Sequence, residues 1–341
     1  MSDSRKGTQE RLSLGQGIMS PTCLHPPRLS LHELSIEIGD IPILVRTDST
    51  EFAGLLMDRY GEFITTDRSR AVMELEVKLL SEPELRSQDA APGEDSEEEV
   101  SVRLWSGRWV MERGDFRAEW DPQCRQGWVR QSANPYSIDS VLRILHSLLL
   151  ARAGGFLLHA ASALRNGRAF VFAGCSGAGK TTLARLAPPD VTLLTDEISY
   201  VKQVSGTSSQ EQNSLTSDSS NLSPTLDASA HQQNSLTPDT WHLTPAFEAF
   251  GTPFAGELAR LGQKARAPLA GLFLLKQGPE NRIEFLSKSE AAGELLRHVL
   301  FFAREEELVR MIFQTVLDFV GRVPVRRLVF APSASVWELI A

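Results

Sequence analysis

A glycine-rich segment in the middle of this 341-residue chain has the residue types and spacing that bind phosphate groups. The segment fits the pattern G-x-x-x-x-G-K-[ST] without gaps. In such a loop the glycines let consecutive backbone N–H groups point at phosphate oxygens, and the lysine reaches the β- and γ-phosphates of a nucleotide. The alternative is a strand-to-helix turn that binds no ligand. The residues expected to bind the phosphates of a nucleotide are Gly174, Cys175, Ser176, Gly177, Ala178, Gly179, Lys180, Thr181 and Thr182.

Two carboxylates follow this loop, sixteen residues after Lys180. The apolar residues 191–195 predict a strand, and Asp196 and Glu197 end it. Phosphoryl transfer needs carboxylates beside a phosphate loop, because one can hold Mg²⁺ and another can accept the proton of an incoming hydroxyl. The hydroxyl of Thr181 is a further Mg²⁺ ligand of this kind. The alternative is a polar strand end or a helix cap.

The segment before the loop predicts that a histidine lies beside the phosphate-binding loop. Residues 156–164 read as a strand, and Asn166-Gly167 is a typical two-residue hairpin turn. A two-residue hairpin pairs positions whose numbers sum to 333, so His159 lies opposite Gly174. His159 is therefore expected beside the phosphates; the alternative is a histidine of the core. The strand 169–173 and a helix over 181–187 complete the setting that the loop requires.

Weaker signals come from the segment 251–257, in which two glycines and a proline predict a rigid turn that presents Glu257. Lys264 and Arg266 follow it and could meet phosphate, although solvated basic side chains are the commoner outcome. Cys175 is expected to fill space in the loop rather than to act as a reactive thiol.

Composition limits the function classes. The net charge of −8 argues against nucleic-acid binding and against attachment to an anionic membrane. Three cysteines without a CxxC pair argue against a disulfide scaffold or a cysteine-based zinc site. Residues 1–20 lack the apolar core of a secretory signal, and the most apolar stretch, 138–164, contains too many polar residues to span a membrane. We therefore expect a cytoplasmic protein, and the sequence leaves homo-oligomer formation open.

The chain divides into three parts by pattern. Residues 1–28 read as a flexible tail, and 29–136 as a β-rich N-terminal domain with an acidic loop at 82–99. In that domain Pro42 favours an edge position for the strand at 41–45. Residues 137–341 read as an α/β domain that begins with a helix over 137–153 capped by Ser137. Helices are also expected over 289–302 and 305–320, and buried strands at 269–275 and 325–330.

The polar segment 205–239 interrupts this second domain. It is rich in Ser, Thr, Gln, Asn and Asp, and its apolar content is too low to offset the entropy lost on ordering. We expect a disordered insertion that acts as a passive linker; a regulatory phosphorylation tract is the alternative.

The order of these features resembles the catalytic domain of the HPr serine kinase/phosphorylase family, and more specifically the HPr-kinase-related proteins of some peptide-modification gene clusters. The resemblance covers residues 150–204 and 241–335 and is strongest from Leu158 to Ser199. It implies a P-loop domain of the type shared with ATP-dependent phosphoenolpyruvate carboxykinases, preceded by a smaller α+β domain. It also implies ATP- and Mg²⁺-dependent phosphorylation of a serine hydroxyl on a small protein or peptide.

The resemblance also assigns roles. It makes Asp196 the catalytic base, places His159 and Lys180 in the catalytic group, and puts Thr181, Glu197 and Glu257 on the side of the metal ion. Two departures from the family bear on the substrate. The family commonly has Asp-Asp where this chain has Asp196-Glu197, and the charged signature that follows in true HPr kinases is not recognisable. HPr is therefore not the expected acceptor. Two other functions stay open, namely a non-catalytic ATP-binding scaffold and a small-molecule phosphotransferase of carboxykinase type.

Overall fold

A computed structural model describes residues 31–87, 100–204, 246–256, 258 and 262–340. The predicted tail at 1–28, the predicted insertion at 205–239 and Glu257 lie outside the described residues. The described chain is a mixed α/β protein with two large mixed sheets and few helices.

The first sheet comes from residues 32–131 and has eight strands. They are β1 (His32–Ile38), β2 (Ile41–Thr47), β3 (Ile64–Thr65), β4 (Met73–Leu79), β5 (Ser101–Trp105), β6 (Arg108–Arg113), β7 (Phe116–Asp121) and β8 (Gln126–Gln131). Their order is β3-β1-β2-β4-β8-β7-β6-β5, and the pairs β2–β4 and β4–β8 are parallel. Two helices, α1 (Thr50–Tyr60) and α2 (Glu82–Ser87), belong to this part of the chain.

The second sheet has nine strands. They are β9 (Gly155–Arg165), β10 (Arg168–Ala173), β11 (Val191–Thr195), β12 (Ile198–Gln203), β13 (Phe247–Phe250), β14 (Arg266–Gln277), β15 (Arg282–Phe285), β16 (Val299–Leu300) and β17 (Val325–Phe330). The helices of this part are α3 (Pro135–Arg152), α4 (Lys180–Arg185), α5 (Lys288–Leu296) and α6 (Glu306–Arg322). Short 3-10 turns occur at Gly61–Phe63 in the first part and at Ala334–Leu339 in the second. β10, β14 and β17 run parallel to one another, so their carboxyl ends meet at one edge.

The turn between β9 and β10 fixes the register of this strand pair in the second sheet. Asn166 and Gly167 have φ angles of 50° and 74°, the left-handed values that a type I′ hairpin requires. Arg168 pairs with Arg165, and the same register continues to Ala173. The predicted hairpin register is therefore confirmed.

Two predictions are wrong, one about the position of β2 in its sheet and one about the residue that caps α3. Pro42 does not mark an edge strand, because β2 lies between β1 and β4. It is tolerated because the pairing with β4 begins only at Ile43, so no ladder bond needs its missing N–H. The predicted N-cap Ser137 is also wrong, since Asn134 caps α3 by accepting from the N–H of Tyr136. The hydroxyl of Ser137 instead donates a hydrogen bond to Asp115.

Two predicted element types also differ. The first six residues of the predicted acidic loop form α2, and residues 88–99 lie outside the described part. The helix expected over 289–302 ends at Leu296, because the following residues pair with β9 as the short strand β16.

Two apolar cores lie on the two faces of the second sheet. The larger core is continuous with that of the first sheet and includes buried faces of α1, α3 and α6. The smaller core packs Phe172, Phe273 and Trp337 against Leu183 of α4. The sheet is thus covered on both sides in the region where the glycine-rich loop leaves it. In the described part of the chain, none of the helices is both long and apolar enough to cross a membrane.

Candidate functional site

The glycine-rich loop lies between β10 and α4, at the edge where three parallel strands end. The prediction of strand, loop and helix is confirmed, although the helix is only six residues long. Gly177 and Gly179 have φ angles of 76° and 107°, which side chains rarely tolerate. A Cβ on Gly179 would lie 2.4 Å from the ring of Phe330, at the end of β17. At the end of β14, Gln277 Nε2 donates to the carbonyl of Gly177 at 2.7 Å. Neighbouring strand ends therefore fix the loop.

Lys180 folds back over this loop and is 8% exposed. Its Nζ donates to the carbonyl oxygens of Gly174 and Cys175 at 2.8 and 3.3 Å. A phosphate oxygen could replace such carbonyls as the partner of the ammonium with a stronger, charge-assisted bond. The position suits a lysine that binds phosphate. Cys175 is exposed and, within the part of the chain that the structure describes, is a free cysteine.

Asp196 and Glu197 directly follow the end of β11, as predicted, and the chain then continues as β12. β11 and β12 both pair with β9, through Thr195↔Ser162 and Ile198↔His159, so the chain continues along one neighbour. Asp196 is 6% exposed. Local sequence could not show this arrangement, because the continuation depends on the length of β9.

The loop that follows β13 holds Asp196. Its carboxylate oxygens accept from the backbone N–H groups of Gly256 and Leu258 at 2.9 and 3.0 Å. The same loop is anchored by Thr252, whose hydroxyl donates to the carbonyl of Ile198 at 2.9 Å. The turn predicted at 251–257 thus lies against the two acids, and Glu257 within it lies outside the described residues.

Glu197 is half-buried beside a guanidinium. Its Oε1 lies 3.6 Å from Nη1 of Arg143 on α3, and that guanidinium stacks on the buried ring of Phe254, 5.0 Å from its centroid. Burial raises the pKa of Glu197; the charge of Asp196 adds to this rise, and Arg143 and Lys180 oppose it. Glu197 is therefore more ready to take up a proton than an ordinary surface glutamate.

The pairing of β9 with β10 ends at Ala160 and Ala173, so His159 is not paired with Gly174 as predicted; its backbone N–H donates instead to the carbonyl of a second histidine, His298, at 2.8 Å. Burial lowers the pKa of His159, and the positive charge of Lys180 lowers it further. The same two causes, in the same order, lower the pKa of His298 at the start of β16. The charge of Lys180 therefore acts on both imidazoles, and both are harder to protonate than an ordinary histidine. His298 was not predicted as a site residue, because a single histidine in an apolar stretch has no local signal.

A magnesium ion fits the donor chemistry only in part. Thr181 and Glu197 offer the oxygen ligands that Mg²⁺ prefers, whereas both oxygens of Asp196 already accept backbone bonds. Within the described ranges, no group of three or more His, Cys, Asp or Glu residues is placed to hold a metal.

Lys264 and Arg266 do not face the loop. They pair with acids of the first sheet, Lys264 with Glu37 at 3.6 Å and Arg266 with Asp40. Their predicted alternative role as phosphate contacts is not supported by these partners.

Comparison of the chain with protein-family models and with curated proteins gave no match.

Proposed function

We propose that this protein is an ATP-dependent kinase that phosphorylates a serine hydroxyl of a small protein or peptide, with a catalytic domain similar to the HPr serine kinase family. The observation that supports this most is that Lys180 is buried in a single glycine-rich loop and that its charge acts on Glu197, His159 and His298. A turn with no ligand would have no need for a buried ammonium held over loop carbonyls.

Phosphoryl transfer consists mainly of positioning and charge neutralisation. In the proposed complex the amides of the loop bind the inner phosphates, and Lys180 neutralises charge on the β- and γ-phosphates. Thr181 and Glu197 are the side chains that would hold Mg²⁺, which lowers the repulsion between the phosphates and the incoming oxygen. His159 belongs to the same proposed site, because the charge of Lys180 acts on its ring.

Asp196 is the proposed base. It takes the proton from the serine hydroxyl while the bond from serine oxygen to γ-phosphorus forms and the bond to the β–γ bridging oxygen breaks, releasing ADP. Its oxygens each accept one backbone bond, from Gly256 and Leu258, and each keeps a second lone pair that can accept the serine hydroxyl.

A non-catalytic ATP-binding regulator is the second candidate. The two backbone N–H groups that donate to Asp196 favour it, since a carboxylate that holds a loop in this way has a structural role without any catalysis. The two candidates differ in whether bound ATP is turned over.

Transfer of ³²P from γ-labelled Mg-ATP decides between them. The full chain is incubated with the small proteins encoded by the neighbouring genes and with a library of serine-containing peptides. We expect labelling that disappears in Lys180→Ala and Asp196→Asn and persists in Lys78→Ala, an exposed lysine of β4. Labelling that survives both site substitutions contradicts the kinase; ATP binding without any transfer favours the regulator.

A further inference from the structure

One edge of β9 changes partner where the glycine-rich loop leaves the sheet. β10 pairs with β9 as far as Ala160, and the chain departs from the sheet at Gly174. β12 takes the opposite edge, and β16 pairs with Leu158 on the edge that β10 has left. The backbone N–H of His159 donates to the carbonyl of His298 at 2.8 Å. His298 therefore takes the place opposite His159 that the loop vacates.

The side chains of these two histidines share a face. Residues directly opposite each other in an antiparallel pair point to the same side of the sheet. The charge of Lys180 acts on both rings, and its Nζ donates to Gly174 at 2.8 Å, next to the change of partner. The charge of Lys180 thus acts on two imidazoles of one face, His159, which is half-buried, and His298, which is 8% exposed.

We propose that His298 is a second imidazole of the phosphate site and donates a hydrogen bond to the terminal phosphate of a bound nucleoside triphosphate. This inference rests on the proposed function. In a loop of this kind the backbone amides serve the inner phosphates and the lysine reaches the outer ones, so groups beside its tip face the terminal phosphate. A neutral imidazole has one N–H donor, and a bond from it to an anion is charge-assisted.

A purely structural role is the competing explanation. The backbone N–H of His298 donates to the carbonyl of Leu295 at 2.9 Å, so the residue also helps to end α5. Substitution of a buried side chain at this place can therefore lower stability without any role in binding. The test has to separate the two.

Affinities for Mg-ATP and Mg-ADP, measured by calorimetry on the full chain, make this separation. His298→Leu removes the donor, and His298→Gln keeps an N–H donor of similar reach. We expect His298→Leu to weaken Mg-ATP binding by about 10- to 100-fold and to change Mg-ADP binding by less than about threefold. His298→Gln retains most of the affinity, and His32→Leu, on the exposed end of β1, leaves it unchanged. Equal losses for both nucleotides, or none, overturn the proposal.

Imidazole NMR signals of the unmodified protein give a second reading if His298→Leu does not fold. The chain has seven histidines, and the signal of His298 is identified by its absence in His298→Gln. Addition of Mg-ATP should shift this signal and leave that of His32 in place. An unmoved His298 signal in a protein that binds Mg-ATP overturns the inference alone, whereas failure of the unmodified protein to bind Mg-ATP overturns the proposed function.

Discussion

His146 is a fully buried histidine that should make the stability of this protein fall at mildly acidic pH. It lies on α3 with its ring edge against Tyr200, 5.7 Å between centroids, and neither ring nitrogen has a hydrogen-bond partner within the described ranges. Burial lowers its pKa from 6.5 to about 3. Above pH 6.5 the ring is neutral in both states and its titration has no effect. Below that pH the unfolded chain takes up a proton that the folded chain excludes, so stability falls until about pH 3.

The size of this effect follows from the two pKa values. One unit of difference corresponds to about 1.4 kcal/mol, and pH 5 lies 1.5 units below 6.5. The folded protein should therefore lose about 2 kcal/mol at pH 5 through His146 alone. His146→Leu removes the titrating group and leaves no hydrogen bond broken, since the ring nitrogens have no partner to lose.

Urea unfolding of the full chain at pH 7.5 and at pH 5 measures this difference. At each pH the free energy of unfolding of the unmodified protein is subtracted from that of His146→Leu. This difference should be about 2 kcal/mol larger at pH 5 than at pH 7.5. His32→Leu is the control, because its ring lies on the exposed end of β1 in the folded protein. A difference that stays the same at both pH values would refute the reasoning, since it would mean that His146 does not resist protonation in the folded state.

Other substitutions test the packing around the site. Asp139→Asn leaves the guanidinium of Arg59 without its buried partner carboxylate, and urea unfolding should show a loss of about 3–5 kcal/mol; a loss below about 1 kcal/mol contradicts the ion pair as described. Gly179→Ala forces a Cβ against the ring of Phe330 at a φ of 107°, so calorimetry should show at least about tenfold weaker Mg-ATP binding. Gly54→Ala, in α1 with open space around its Cβ, is the control and should raise the free energy of unfolding by about 0.5–1 kcal/mol. Unchanged Mg-ATP affinity in Gly179→Ala would show that the shape of the loop is not needed.

The parts of the site that sequence predicted depend on short-range chemistry. The glycine-rich loop has its strand and helix because apolar and helical patterns flank it directly. Asn166-Gly167 fixes a two-residue turn, and that turn alone sets the pairing of β9 with β10 as far as Ala160 and Ala173, one residue short of His159 and Gly174. Each of these inferences needs fewer than about twenty residues of sequence, the length over which periodic patterns are reliable.

The parts that sequence did not predict depend on distant partners. His298 reaches the site only because β10 leaves an edge of β9 free, and no pattern near His298 contains that fact. The carboxylate of Asp196 is held by amides from a loop sixty residues later in the chain. Arg143 could be read only as a polar residue of a helix, whereas the structure places it between Glu197 and an aromatic ring.

Calorimetric titration of the full chain with Mg-ATP, in parallel with Lys180→Ala and Lys78→Ala, tests the central claim most directly. We expect a saturable heat of binding, with a dissociation constant below about 1 mM, for the unmodified protein and for Lys78→Ala. Lys180→Ala should show no measurable binding. An absence of binding by the unmodified protein, or equal affinity in Lys180→Ala, would contradict the assignment of this loop as a triphosphate site.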